Sequence, residues 1–144
     1  MVEDSPDEEM LVMRGVRRSG LPCQILVAHS TDEGLDYLLA RGAFSGRRSS
    51  NPDVIVTDLR IGSIGGAEFV SEVRANEETR LIPIVVLTGS ATTSQVDDLY
   101  LRGANSFLEK PSDIDGFSET IRKIVCYWGM LNTVAESDHR AYPL

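Results

Sequence analysis

Short, nearly continuous apolar runs alternate along this chain with longer stretches in which apolar residues return every three or four positions. Val54-Ile55-Val56 and Ile84-Val85-Val86-Leu87 are β-branched runs of the kind found in parallel strands covered on both faces. Cys23-Gln24-Ile25-Leu26-Val27 predicts another strand, and Ser106-Phe107-Leu108 a short last one. The helices between them carry their own punctuation. Ser5-Pro6-Asp7-Glu8 reads as a capping box with proline at the first helical position, closed by Gly20 and Pro22. A second box spans Ser30 to Glu33, with Leu35, Leu38 and Leu39 as the buried stripe before Gly42. Phe69, Val70 and Val73 mark a third helix opened near Gly66, and Val96, Leu99 and Tyr100 a fourth ended at Gly103. A fifth starts at Ser112 and repeats Phe117, Ile121, Ile124, Val125 and Trp128 at helical spacing. Strand, helix, strand in repetition predicts a doubly wound α/β sheet with right-handed crossovers and helices on both faces.

Composition narrows the class without changing this picture. The 144 residues suit one domain with a single core, and 42 % apolar with 25 % charged content is ordinary for a globular protein. No run approaches the ~20 apolar residues that span a bilayer, and no signal peptide is visible, so a cytoplasmic protein is expected. A formal net charge of −8 argues against nucleic acid as a partner, because the phosphate backbone demands clustered Lys and Arg. Cys23 and Cys126 lack metal-type spacing and read as reduced, core-lining thiols. His29 and His139 have no companions that would make them ligands, and Arg47 and Arg48 read as a solvated face of the loop from Gly42 to Pro52. The domain is expected to end near Trp128, leaving 129–144 as a tail that is disordered or lies at a dimer interface.

Ligands of an open α/β sheet sit beyond the carboxyl ends of its strands. Those ends carry Glu3 and Asp4, then Asp58, Thr88 and Lys110 before Pro111. Three carboxylates brought together repel one another unless a cation offsets them. Magnesium suits the set, since it takes oxygen ligands and keeps waters or phosphate oxygens in its remaining positions. An aspartate can act as nucleophile toward a phosphoryl group. The charge spread over the equatorial oxygens then gives a cation, Lys110 and Thr88 something to stabilise. Each residue alone has a plainer reading. Asp58 could end a strand in a turn, Glu3 and Asp4 could complement a helix start, Thr88 could be a satisfied hydroxyl, and Lys110 a solvated charge.

The combination resembles the receiver domains of two-component response regulators. "VEDS" looks like the acidic pair, "PDVIVTDL" like the acceptor strand, "PIVVLTGSA" like the switch strand, and "GANSFLEKP" like the lysine strand with its usually cis proline. Gly66 matches the glycine that opens the third helix of that family. The resemblance implies a five-stranded parallel sheet in the flavodoxin-like order 2-1-3-4-5 and a histidine kinase as phosphodonor. It makes Asp58 the phosphoacceptor, Thr88 and Lys110 its catalytic partners, and Thr88 with Phe107 the switch pair. Glu3, Asp4, Asp58 and the Arg60 backbone carbonyl become the magnesium ligands, and Arg60 and Ser90 tune the lifetime of the phosphoform. The long loop and the "YWG" end resemble the single-domain regulators paired with bacterial phytochromes. By the same resemblance the face of the fourth helix, fifth strand and fifth helix would form a homodimer. There Tyr100, Arg102, Phe107, Arg122 and Lys123 could re-pair.

Three departures from the family pattern bear on function. Only Met1 and Val2 precede the acidic pair, so the first strand is nearly missing and an upstream start is expected. That shortfall keeps a second reading open, a pseudo-receiver that binds partners constitutively and never accepts phosphate. Arg60 lies two positions past the acceptor, where relatives often have Asn or Met, and a long cation there is expected to shield the phosphoryl group from water and slow its loss. Gly62 stands where the family usually has proline, so a more mobile acceptor loop is expected. Arg60 also stands where an aspartyl-phosphate phosphatase would place a second acid, which disfavours that enzyme class.

Overall fold

The computed structural model describes residues 1–47 and 50–135. Among these residues the order is α1 (Pro6–Ser19), α2 (Thr31–Leu38), β1 (Ile55–Thr57), α3 (Gly65–Ala75), β2 (Ile84–Thr88), α4 (Thr93–Arg102), β3 (Ser106–Glu109) and α5 (Ile114–Cys126). The helix ends follow the sequence closely. Ser5 and Ser30 accept the backbone N–H groups of Glu8 and Glu33, Thr92 and Gln95 form a full capping box, and Asp113 caps α5. Gly20 and Gly103 close α1 and α4 in the left-handed conformation that glycine adopts without a Cβ clash.

β1, β2 and β3 form a parallel sheet in that order, with Ile55 opposite Ile84 and Val86 opposite Phe107. Alternate residues serve opposite faces. Ile55, Ile84 and Val86 join Phe69, Val70, Val73 and Leu99 under α2, α3 and α4, whereas Val56, Val85 and Leu87 join Val12, Phe117, Ile121 and Ile124 under α1 and α5. This is the doubly wound arrangement, and it leaves the strand ends free for chemistry.

Of the five expected strands, three form among the described residues. Val2 makes isolated parallel bridges to Ala28 on one side and Thr57 on the other, so it occupies the line between them as a single residue. The predicted strand over Cys23 to Val27 does not form: the Met1 ammonium donates to the Leu26 carbonyl and the Ala28 N–H to the Met1 carbonyl, but the pairing goes no further than the isolated Val2–Ala28 bridge. A cleft of about 950 Å³ opens beside Met1 and Val2, lined by Ile25, Val54, Ile121 and Val125 among others. Cys23 is exposed rather than core-lining, and Cys126 is half-buried.

Other expectations shift locally. Trp128 lies in a π-helical turn, Tyr127–Leu131, that continues α5, and packs on the second core, so the chain keeps a regular form beyond the predicted domain end. Arg47 is not a free solvated charge. Its guanidinium stacks 3.9 Å from the Tyr37 ring centroid and donates to the Tyr37 carbonyl. No cis peptide occurs among the described residues, so Pro111 follows a trans bond. Arg48, His139 and 136–144 of the expected tail lie outside the described residues.

Candidate functional site

The site forms where β1, β2 and β3 end. Thr57 closes β1, and the chain turns immediately into Asp58. Gly66, at the start of α3, makes this turn possible: a Cβ there would stand 2.1 Å from the Asp58 carbonyl oxygen. Its N–H instead donates to the Leu59 carbonyl at 2.9 Å. On the far side, the Lys110 N–H donates to the Thr88 carbonyl at 2.8 Å, which extends the β2–β3 ladder by one step and sets Lys110 beside Thr88. Val2, wedged between Ala28 and Thr57, brings Glu3 to the same edge.

Lys110 gathers the carboxylates. Its side chain is only 8 % exposed. Its ammonium donates to Asp58 Oδ2 at 2.6 Å, donates to Glu8 Oε2, and lies 3.5 Å from Glu3 Oε2. Burial alone would lower the Lys110 pKa, but the bonds to Asp58 and Glu8 outweigh it and leave the ammonium raised. Glu3 is buried and accepts the Ser5 N–H at 2.9 Å. Burial, followed by a hydrogen bond shared with Glu8, pushes its carboxyl up to about 7 despite the Ser5 bond and the nearby ammonium. Oxygens of Glu3, Glu8 and Asp58 all lie within 4.8 Å of one another. Three acids around one ammonium leave negative charge uncompensated, and hard oxygen donors at this spacing suit a divalent cation.

The second oxygen of Asp58 accepts the Arg60 N–H at 3.0 Å. The exposed Arg60 guanidinium reaches over to Ser90 Oγ at 2.9 Å, linking the loops that follow β1 and β2. The Thr88 hydroxyl is buried with no partner, a property it shares with Thr31 among the described residues. Such atoms are rare because each costs the desolvation of an unmade hydrogen bond. Phe107 is half-buried against the α3–α4 core, and its N–H donates to the Tyr100 hydroxyl at 3.2 Å.

Glu3, Asp58 and Lys110 therefore meet as the sequence led us to expect, with Thr88 at the adjoining strand end. Lys110 is buried and paired rather than solvated, and Thr88 is not a satisfied hydroxyl. Asp4 is exposed and stands outside the carboxylate group. Glu8 was missed, because the capping-box pattern assigns its carboxylate to the Ser5 N–H. That donor is taken by Glu3 instead. The signal available was an acid at the third position of a helix that starts at the site's edge.

No described helix is long and apolar enough to cross a membrane. The family described as response regulator receiver domain matches residues 1–122. The probable methanogenesis regulatory protein FilR2 of Methanothrix harundinacea is 33 % identical over 128 residues, covering 89 % of this chain and 81 % of that protein. Response regulator Rcp1 of Synechocystis is 25 % identical over 89 % of this chain and 86 % of its own. The crystal structure of its Mn2+-bound form superposes with a TM-score of 0.85 at 24 % identity, covering 94 % and 96 % of the two chains. The bacteriophytochrome response regulator RtBRR superposes with a TM-score of 0.74 at 31 % identity, covering 94 % of this chain and 80 % of that one. By its matched residues and its strand-end site, the chain belongs to the response regulator receiver domain family.

Proposed function

We propose that this receiver domain accepts a phosphoryl group from a partner histidine kinase onto Asp58, and that the change switches the face built by α4, β3 and α5. One observation carries the reading. The Asp58 carboxylate is bonded to a buried Lys110 at 2.6 Å, beside a buried Thr88 hydroxyl that lacks a partner. An unmet donor is out of place in a finished core but suits a site that awaits an oxygen-rich ligand.

In the transfer, an Asp58 oxygen forms the new bond to phosphorus while the bond to the kinase histidine nitrogen breaks, its electron pair leaving with the nitrogen. Lys110 pairs with one phosphoryl oxygen. Thr88 donates to another, which supplies its missing partner. Glu3 and Asp58, already close together, would hold a magnesium ion with the Arg60 carbonyl and with Asp4 once it turns in from its exposed position, and Rcp1 crystallised with Mn2+ gives a relative that binds a divalent cation. When bound, that ion neutralises charge developing on the phosphoryl oxygens. Movement of Thr88 toward the phosphate frees space beside it for Phe107. Arg60, anchored to Ser90, shields the acyl phosphate from water and lengthens its life. Likeness to the bacteriophytochrome response regulator RtBRR supports a phytochrome as the kinase, and the domain itself works in the cytoplasm as a phosphoacceptor, not as a turnover enzyme. Exposed Tyr100, Leu101 and Ile114 support a symmetric dimer through the switched face.

Intact mass after incubation with magnesium and acetyl phosphate tests the reading. One phosphoryl adduct in the presence of magnesium, absent with chelator, is expected. Loss of that adduct should be faster in Arg60→Asn. No adduct under any condition would favour the pseudo-receiver instead.

A further inference from the structure

We infer that Glu8 is a built-in brake on phosphorylation: a positioning residue that holds Lys110 away from an incoming phosphoryl group. The inference rests on the phosphoacceptor reading of Asp58 and adds a residue to it.

Three observations converge on Glu8. First, its carboxylate is released from the role its position implies. As the third residue of α1 it would ordinarily reach back to the N–H of the cap, Ser5, but that N–H is already bonded to Glu3 at 2.9 Å. Second, the freed carboxylate goes to Lys110. An ammonium has three donors, and here the three directions are spent on Asp58, Glu8 and Glu3. A phosphoryl oxygen can gain Lys110 only if one of these acids gives it up. Asp58 is the attacking group and Glu3 is buried and held by Ser5, whereas Glu8 sits on the open first turn of a helix with about a third of its side chain exposed. Glu8 is the partner free to leave. Third, its charge lies among the very oxygens that must admit an anionic donor, within 4.8 Å of an Asp58 oxygen. Both the occupied lysine and the added negative charge oppose the same step.

The test uses the full chain, saturating magnesium and acetyl phosphate, whose phosphorus–oxygen bond breaks as Asp58 attacks and whose acetate departs with the bonding pair. Removing one like charge at about 5 Å, even at the dielectric of water, speeds the step about fourfold. Glu8→Gln is therefore expected to form the adduct about fourfold faster than wild type or more. Glu8→Asp restores the charge and should return the rate to near that of the wild type. An unchanged or slower rate in Glu8→Gln overturns the inference, as does Glu8→Asp matching the fast rate, since loosened packing and not charge would then be responsible. If the wild-type protein forms no adduct, the phosphoacceptor reading itself fails and this inference goes with it.

Discussion

Burial marks the site most plainly at Glu3, where the loss of water, followed by the hydrogen bond shared with Glu8, disfavours the carboxylate. In the unfolded chain this acid titrates near 4.5, and in the fold near 7. A raised carboxyl favours the protonated form, so its contribution to stability is complete below about pH 4.5 and is lost as pH rises through about 7. A cation must displace that proton to use the oxygen. Magnesium affinity is accordingly expected to rise about tenfold between pH 6 and pH 8, because the ionised fraction of a group titrating near 7 rises by that factor. Calorimetric titrations at the two pH values check this, and equal affinities would remove Glu3 from the ligand set. At this scale the sequence was informative about Asp58, Thr88 and Lys110, whose order and strand-end placement are distinctive. It misdirected attention at Glu8, since a capping pattern describes backbone needs and is silent about which donor is already taken.

Among the elements, α1 and α5 pack unusually closely. A Cβ on Gly15 would lie 2.6 Å from the Ser118 carbonyl oxygen and 2.7 Å from Ile121 Cβ, so the glycine sets how near the helices come. Gly15→Val would force them apart or distort the first turns that carry Glu8. Overpacking of this kind costs about 1–3 kcal/mol. A lower urea midpoint with an unchanged slope is expected, and a wild-type midpoint would show that the interface yields freely. Helices were the legible elements, because caps and apolar stripes are local signals. Strands were less so. Cys23 to Val27 has the composition of a strand yet forms none, since a strand is defined by its neighbours and the bonds from Met1 and Glu3 reach only Leu26 and Ala28. Arg74 was equally silent in the sequence. Its guanidinium donates to the Gly103 and Ile82 carbonyls and to Asn105 Oδ1, tying α3 to the loops that enter β2 and β3.

For the whole molecule, parallel strands place all their carboxyl ends on one edge, and residues far apart in sequence become one site there. Asp58, Thr88 and Lys110 reach it from three strands, while Glu3 and Glu8 reach it from the start of the chain. The alternation of apolar runs and helical stripes was enough to foresee Glu3, Asp58, Thr88 and Lys110 meeting there, but not Glu8. Sheet width was not, because it depends on pairing across the first strand.

Whether Asp58 takes the phosphoryl group can be read by chemical mapping. Hydride reduction of the phosphorylated protein converts an aspartyl phosphate to homoserine, which peptide mass analysis can locate. Homoserine at position 58 alone, absent from Asp58→Asn, is the expected result. Homoserine at another acid, or an adduct that persists in Asp58→Asn, would contradict the account.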